Sequence, residues 1–404
     1  MKLKRITLAT LAAFAAPGAV LAQSNVQSVG NVQVYGTLNI DIESVKATGS
    51  SGLNFPSRSR VTSNSSNLGF RGTEDLGQGL RAFFQIESAV NLDNGTQSGF
   101  FASRNSAAGL LGGWGQVFLG QWDSPYKYST LRLDPTGNTG IAAYTGILGG
   151  TGSITSGQGG TTFAERASFD RRVANVAQYW TPNWRGLSGR VAYGTGDTNV
   201  GSTANGVSEA SNLRPALYAG SVMYESGPLY VTAAYERHKD FQALNTLFNA
   251  AASSGKDDAW KGAVQYTFLT NFTLGGILEH LKYKADDING LGAVERKVTN
   301  WYLVGKYQAG PHAIGLSYGQ KGEEKLSGAG LSDLSDSKAK QISARYGYSL
   351  SKRTQLYAIA TRISNEANAF QTFGNSPITP TTLFRDPARG ADPTGFGGGI
   401  IHTF

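Results

Sequence analysis

Apolar and polar side chains alternate along this chain in runs longer than an ordinary soluble strand. In residues 32–45, apolar residues occupy positions 32, 34, 38, 40 and 42, and polar residues occupy 33, 37, 39, 41 and 43. A period of two places successive side chains on opposite faces of a β-strand. A run of more than ten residues exceeds the usual strand of about five or six. The pattern therefore predicts long strands with one apolar and one polar face.

The same alternation recurs along the whole chain after its first 31 residues. Further segments begin near positions 80, 187, 300, 341 and 397. Tight connections, such as 75–79 and 309–311, alternate with long connections rich in Gly, Ser, Asn and Asp, such as 91–103 and 195–213. Counting the strands between these connections gives about sixteen, and no shift in composition marks a domain boundary.

Composition excludes several other classes of protein. Gly accounts for 53 of 404 residues and Tyr plus Phe for 37, which is too aromatic for disorder and too rich in glycine for a helical bundle. Cys is absent, so no disulfide, thiolate metal site or cysteine nucleophile exists. Four scattered His leave little material for an imidazole metal site, and no phosphate-binding or dinucleotide-binding glycine motif is present. We expect no cofactor and no bound metal.

The first 22 residues have the pattern of an export signal. Lys2, Lys4 and Arg5 precede an apolar stretch, and Ala22 is a small residue at the expected cleavage point. We therefore predict a signal peptide over 1–22 and a single barrel domain over 23–404. Removal of the signal leaves 33 basic and 28 acidic residues, a balance of about +5. That balance is too small to indicate a nucleic-acid partner.

Long alternating strands in an exported chain favour a barrel in a membrane. In hydrocarbon every backbone donor and acceptor needs an internal partner, so a sheet crosses a bilayer only when it is closed. Its outward side chains are then apolar, and its inward side chains are polar where the lumen holds water. A soluble sandwich or propeller also alternates, but the length of the strands and the short and long connections favour the barrel.

Four segments carry a family resemblance, and they follow one another along the chain. They read LGFRGTEDLGQGLRAFFQIES at 68–88, GGWGQVFLGQWDSP at 112–125, RVANVAQYWTPNW at 172–184 and YSLSKRTQLY at 348–357. In these segments the chain resembles the general porins of Gram-negative outer membranes, in the branch typical of Neisseria-like and Bordetella-like bacteria. The resemblance implies an all-β, sixteen-stranded antiparallel transmembrane barrel with an inward-folded third external loop. It also implies a homotrimer among outer-membrane lipids and lipopolysaccharide, with Phe404 recognised by the barrel assembly machinery.

The phase of each strand predicts which charges face the lumen. Leu68 and Phe70 on the lipid face turn Arg71 inward, and the same reasoning applies to four further arginines. The neighbours of Arg58, Arg60 and Arg104 do not alternate cleanly, so their facing stays open. The predicted basic wall of the pore consists of Arg71, Arg81, Arg172, Arg190 and Arg345.

The segment 124–170 is long and rich in glycine, which indicates a functional loop. We expect it to narrow the pore and to carry Asp134, Glu165 and Asp170 opposite the arginines. Opposed charges at a constriction create a transverse field that orders water and favours small polar solutes. Rings of basic side chains bias a pore towards anions, so we predict weak anion preference. The alternative is a nearly unselective pore in which the loop acids cancel the wall.

These observations predict a passive diffusion channel for small hydrophilic solutes and ions in the outer membrane, without enzyme activity. Three alternatives remain. A hydrolase at the external rim would need a base, and His238 and His280 are the histidines near external strand ends. A structural or adhesive barrel would be closed by its loops and would not conduct. A substrate-selective channel would show a saturable current that its ligand blocks.

Overall fold

The computed structural model describes most of the chain after its first 31 residues. The predicted export signal, residues 1–22, lies outside the described part. The described residues are 32–49, 54–95, 101–137, 139–150, 168–195, 213–248, 250, 253–269, 271–328, 330–374, 378 and 389–404.

Strands account for most of these residues, and the helices among them are short. None of the described helices is long and apolar enough to cross a membrane. The helical segments are α1 (Pro125–Tyr128), α2 (Ala243–Leu247) and the 3₁₀ turns Leu131–Leu133 and Tyr144–Gly146. The strands are β1 (Gln33–Thr48), β2 (Phe55–Ser63), β3 (Asn67–Gly77), β4 (Leu80–Ala89), β5 (Ser106–Gly112), β6 (Gly115–Asp123), β7 (Arg172–Trp180), β8 (Leu187–Thr195), β9 (Ala216–Ser226), β10 (Leu229–Lys239), β11 (Gly255–Phe268), β12 (Phe272–Ala285), β13 (Val294–Ala309), β14 (His312–Lys321), β15 (Lys325–Ser327), β16 (Ala339–Ser349), β17 (Thr354–Asn365) and β18 (Asp392–Thr403).

The strands form one closed antiparallel sheet. β1 pairs with β18 over residues 37–48, which closes the barrel, while its other edge pairs with β2 and β3 in turn. β2 and β3 therefore lie end to end as one barrel strand, and β15 is a short segment that pairs with β13 beside the main ladder. The eighteen segments thus build sixteen barrel strands, which confirms the predicted fold class. Closure leaves no unpaired edge in the membrane.

The two faces of the sheet differ as the alternation predicts. Large apolar side chains point outward, for example Ile42, Leu119 and Phe396, which are 62–66% exposed. Polar side chains of the opposite phase point inward, for example Asp41 and Glu279, which are buried. Lipid around the barrel favours the first set, and the polar lumen and its contents accommodate the second.

The two ends of the barrel differ in their connections. At one end the strands are joined by tight turns, such as the two residues between β9 and β10, where Gly227 has a φ of 54°. Phe404 lies at this end, and its backbone N–H and C=O both pair with Gly36. Long connections join the strands at the other end. In outer-membrane barrels short turns face the periplasm and long loops face outside, which orients the molecule.

Candidate functional site

Three ion pairs line the inner face between β1 and β7, and each is oriented in the same way. The carboxylate lies against the strands and the guanidinium lies in front of it. The carboxylate side chains are 0–11% exposed, whereas the arginine side chains are 20–27% exposed. We call these six residues the open wall. They are Arg60 Nε–Glu43 Oε1 at 2.6 Å, Arg104 Nε–Glu87 Oε1 at 2.6 Å and Arg172 Nη2–Asp123 Oδ1 at 3.4 Å.

Hydrogen bonds connect members of the open wall to one another and to their neighbours. Arg172 Nε donates to Asn105 Oδ1 at 2.7 Å, and Asn105 Nδ2 donates to Asp123 Oδ2 at 3.0 Å. Tyr35 donates its hydroxyl to Glu87 at 3.0 Å, and the guanidinium of Arg71 lies 4.8 Å from the Tyr35 ring. Positive charge therefore meets the lumen along this wall, with most of the negative charge behind it.

The structure distributes the five predicted wall arginines over the inner face instead of gathering them. Arg172 belongs to the open wall and Arg71 adjoins it, whereas Arg81 lies exposed at the end with the tight turns, opposite Asp75. Arg190 lies 3.2 Å from the Tyr128 ring and 3.6 Å from the Trp180 ring. Arg345 donates to Gln355 at 2.6 Å and lies 5.1 Å from the Tyr357 ring, away from the others.

Two arginines whose facing the sequence left open, Arg60 and Arg104, belong to the open wall. Arg58 lies opposite Val45, a residue of the buried inner phase of β1, so it shares that face. Alternation missed Arg58 and Arg60 because residues 64–66 interrupt the strand between β2 and β3, where Ser65 has a φ of 59°. It missed Arg104 because that residue lies in the connection between β4 and β5.

The described part of the long segment, residues 124–137, 139–150 and 168–170, lies along the inner face of the barrel. Tyr126 donates its hydroxyl to Glu279 on β12 at 2.8 Å, and Gln341 on β16 donates to the Ala143 carbonyl at 3.4 Å. Asn39 on β1 donates to Thr139 at 3.4 Å. One segment thus reaches inward-facing side chains of three separated strands, a reach possible only across the lumen.

Beneath this segment the wall carries a second set of charges, all fully buried. Lys261 Nζ lies 2.9 Å from Asp170 Oδ2 and 3.0 Å from Thr130 Oγ1, and Tyr144 donates to Asp170 at 3.0 Å. Glu279 accepts from the Gly149 N–H at 2.8 Å and from Asn300 at 3.0 Å. We call Lys261, Glu279 and Asn300, with the loop residues Tyr126, Tyr144 and Asp170 that contact them, the loop-covered wall.

The loop acids have structural contacts in the described part of the segment. Asp170 pairs with Lys261, and Asp134 accepts from the Thr136 N–H at 2.7 Å and from the Tyr144 N–H at 2.7 Å. Burial raises the pKa of Asp134, although these bonds oppose the shift. The third predicted acid, Glu165, lies outside the described residues. Asp134 and Asp170 therefore hold the turns of the loop together and attach it to the wall.

Two inward-facing glycines allow the loop to approach the wall closely. A Cβ at Gly315 on β14 would lie 2.4 Å from the Pro135 Cβ, and one at Gly395 on β18 would lie 2.9 Å from the Ile141 Cδ1. Both distances are shorter than real carbon contacts. The apolar side chains of the loop therefore pack directly against the backbone of the strands.

The two histidines considered as catalytic bases lie apart, on opposite faces of the sheet. His238 is buried between the rings of Phe169 and Phe241, each centred 4.4 Å away, and its Nε2 lies 2.8 Å from Glu236. His280 faces outward beside Thr299. Among the described residues, no group of three or more His, Asp or Glu side chains is arranged to hold a metal ion.

Sequence reasoning also missed Lys261 and Glu279. A signal was present, because the outward residues Trp260 and Val264 set the phase that turns Lys261 inward. The alternation could not predict the ion-pair partner of Lys261, because Asp170 lies 91 residues away along the chain.

Comparison with known proteins gives one consistent result. A family model described as Gram-negative porin matches residues 8–368. The chain is 31% identical over 361 residues to outer membrane porin protein 32 of Delftia acidovorans, covering 89% of this chain and 90% of that protein. It is 28% identical over 401 residues to an outer membrane porin protein of Bordetella pertussis, covering 91% of this chain and 95% of that protein. A solved structure described as an anion-selective porin from Comamonas acidovorans superposes with a TM-score of 0.72 at 25% identity, covering 93% of this chain and 100% of that one.

Proposed function

This chain belongs to the Gram-negative porin family, and from that premise we infer that it forms a water-filled outer-membrane channel through which small hydrophilic solutes and ions diffuse passively. The observation that carries this function is the closed sixteen-stranded sheet with an apolar outer face and charged side chains on its inner face. A weak preference for anions follows from the orientation of the open wall, because solutes in the lumen meet guanidinium groups before carboxylates. The similar Comamonas acidovorans structure is itself described as anion-selective.

The roles of individual side chains belong to the same proposal. Arg71, Arg81, Arg172, Arg190 and Arg345 supply the positive field of the wall, and the other arginines of the open wall strengthen it. Asp134, Glu165 and Asp170 are the negative side of the field. Burial reduces the negative potential that Asp134 and Asp170 add to the open lumen, and Asp170 is also paired with Lys261. The positive potential of the wall arginines therefore exceeds the negative potential of the loop acids.

The cellular setting follows from the family and the sequence together. We propose that residues 1–22 are removed on export and that Phe404 is recognised by the barrel assembly machinery. The mature barrel forms a homotrimer among outer-membrane lipids and lipopolysaccharide. It needs no cofactor, binds no nucleic acid and has no enzyme activity.

Reversal potentials in planar bilayers test the charge assignment. In a salt gradient we expect the double variant Arg71→Glu/Arg172→Glu to lower the ratio of anion to cation permeability, because two positive charges of the lumen are reversed. Arg237→Glu, on the outer face of β10, is the matched control and leaves the ratio unchanged. An unchanged ratio in the double variant would refute the assignment of the wall, and the absence of any ion-current steps in the native protein would refute the channel.

A further inference from the structure

Two basic side chains on the inner face of the barrel, near the end with the tight turns, have no carboxylate paired with them among the described residues. Lys306 on β13 and Arg345 on β16 both lie opposite Gly315 on β14, so one glycine separates them within a row of the sheet. Lys306 Nζ donates to the Arg132 carbonyl. Arg345 Nη2 donates to Gln355 Oε1 at 2.6 Å. Because two strand spacings are only about 10 Å, the two positive charges repel each other and favour an anion from the lumen.

The acid that acts on this pair leaves it positively charged. Asp134 in the loop interacts electrostatically with both Lys306 and Arg345. Its carboxylate is buried and accepts from the backbone N–H groups of Thr136 and Tyr144. One carboxylate balances at most one of the two positive charges, so the row presents net positive charge to the lumen.

A cavity opens beside these two cations, between the loop and the tight turns. Its volume is about 390 Å³, which lies in the range of about 300–1,000 Å³ typical of small-molecule sites. Pro135 of the loop and Gly315 bound it. Its lining is rich in amide side chains, which both donate and accept hydrogen bonds and so suit hydroxyl groups. These amides are Gln265, Asn271, Gln308 and Gln355.

One acceptor in this cavity has no hydrogen-bond donor in the described part of the chain. Gln265 is 8% exposed, and its Oε1 accepts no hydrogen bond there. A buried acceptor without a donor is costly, so a hydroxyl group supplied from the lumen would stabilise it. A solute that combines anionic oxygens with hydroxyl groups therefore matches both the cations and this amide.

We propose that Lys306, Arg345 and Gln265 form a subsite for hydroxylated anions of monosaccharide size, such as sugar phosphates, on the periplasmic side of the loop. The phosphate lies between the ammonium and the guanidinium, whose planar fork binds two phosphate oxygens. A sugar hydroxyl donates to Gln265 Oε1. A doubly charged phosphate monoester matches two cations, which a neutral sugar does not. This inference rests on the proposed function and deepens it, because it names a class of solute that the channel holds on its way through.

Titration of single-channel currents in planar bilayers tests the subsite, with glucose 6-phosphate as the probe and with glucose and inorganic phosphate as its controls. In the native protein, glucose 6-phosphate should reduce the current at a lower concentration than either control, because it alone offers both groups. Lys306→Gln/Arg345→Gln should raise its half-blocking concentration about tenfold. Gln265→Leu keeps every charge and should raise that concentration about threefold, without changing the value for inorganic phosphate.

The matched control is Arg60→Gln/Arg104→Gln, which removes the same charge from two arginines that are already paired with Glu43 and Glu87. This variant acts only through the electric field of the lumen. It should therefore change the half-blocking concentrations of glucose 6-phosphate and inorganic phosphate by the same factor. Ion-current steps in each variant show that its barrel has formed.

Two results would overturn the subsite. One is an equal half-blocking concentration of glucose 6-phosphate and inorganic phosphate in the native protein. The other is an equal rise in the value for glucose 6-phosphate in the two double variants. Native ion-current steps that no solute reduces contradict the subsite alone, whereas the absence of any steps in the native protein contradicts the channel.

Discussion

The open wall and the loop-covered wall use the same chemistry at different depths. Both pair carboxylates with basic side chains, but the arginines of the open wall are 20–27% exposed, while Lys261 and Asp170 are 0% exposed. An exposed ion pair contributes about 0–1 kcal/mol to stability, whereas breaking a buried pair from one side costs about 3–5 kcal/mol. The first wall therefore presents its charge to solutes, and the second uses its charge to hold the loop.

The largest expected effect comes from breaking one side of the buried pair. Lys261→Met leaves the Asp170 carboxylate buried without its cation, and the free energy of unfolding should fall by about 3–5 kcal/mol. The equivalent change on the open wall, Arg104→Met, should cost less, because Glu87 keeps the hydrogen bond from the Tyr35 hydroxyl and Arg104 is already 21% exposed in the folded protein. Denaturant unfolding in detergent micelles, followed by tryptophan fluorescence, measures both. Lys261→Met/Asp170→Asn removes both charges and should recover most of the loss, and equal costs for the two single variants would remove the distinction between the walls.

Acid should lower the stability of β13–β15, on the side of the barrel that carries the loop-covered wall. On the external side of β13 and β14, Glu324 bonds to Arg296 at 2.8 Å and contacts Lys321 at 2.6 Å. Burial opposes ionisation there, but Arg296 and Lys321 outweigh it and lower the pKa of Glu324 from 4.5 to about 2. Because the pKa is lower in the folded state, the stabilisation is present above pH 4.5 and is lost as pH falls towards 2.

The shift in the pKa of Glu324 corresponds to roughly 3 kcal/mol at most. Hydrogen exchange should therefore quicken in β13–β15 between pH 4.5 and 2, after correction for the intrinsic rate. Glu324→Gln should flatten this dependence. A native protein whose corrected exchange in these strands stays constant over that range would contradict the role of the ion triad.

A steric change should loosen the loop without touching any charge. Gly315→Val places atoms where Pro135 now lies, and overpacking of this kind costs about 1–3 kcal/mol. We expect lower stability and altered single-channel conductance, because the loop must move in the lumen. Gly305→Ala on the outward face of β13, where the nearest atom would be 3.6 Å away, is the matched control. Native conductance in Gly315→Val would show that the loop does not narrow the pore.

The smallest expected effect concerns ion preference. A unit charge about 6 Å from the path of an ion in water contributes ~0.7 kcal/mol, or about threefold in permeability. Arg60→Gln/Arg104→Gln should therefore lower the ratio of anion to cation permeability at least about threefold, and high salt should reduce the difference. Lys261→Gln/Asp170→Asn removes a buried pair without net charge and should leave the ratio unchanged. If the second variant shifts the reversal potential as much as the first, both walls face the permeating ions.

Alternation predicted much of this molecule because a pleated strand turns every second side chain to one face. The phase assigned to Arg71 and Arg190 agrees with Arg71 pairing with Gln33 on β1 and with Arg190 contacting Tyr128 of the loop. The method fails where the pleat is interrupted, as it does between Arg60 and β3, where Ser65 has a φ of 59°. A local pattern carries no information on the other side of such a break.

The closed barrel, its strand number and the polarity of its two faces could be predicted from the amino-acid sequence, because period two and the demands of a bilayer act on every strand locally. How the charges are used becomes visible only in the folded molecule. Asp170 looks in sequence like an acid facing the pore, yet the fold buries it on Lys261. Arg104 lies in a connection without a strand phase, yet the fold places its guanidinium in front of Glu87. Partners far apart in the chain meet only when the sheet closes and the loop enters it, so a local pattern cannot predict them.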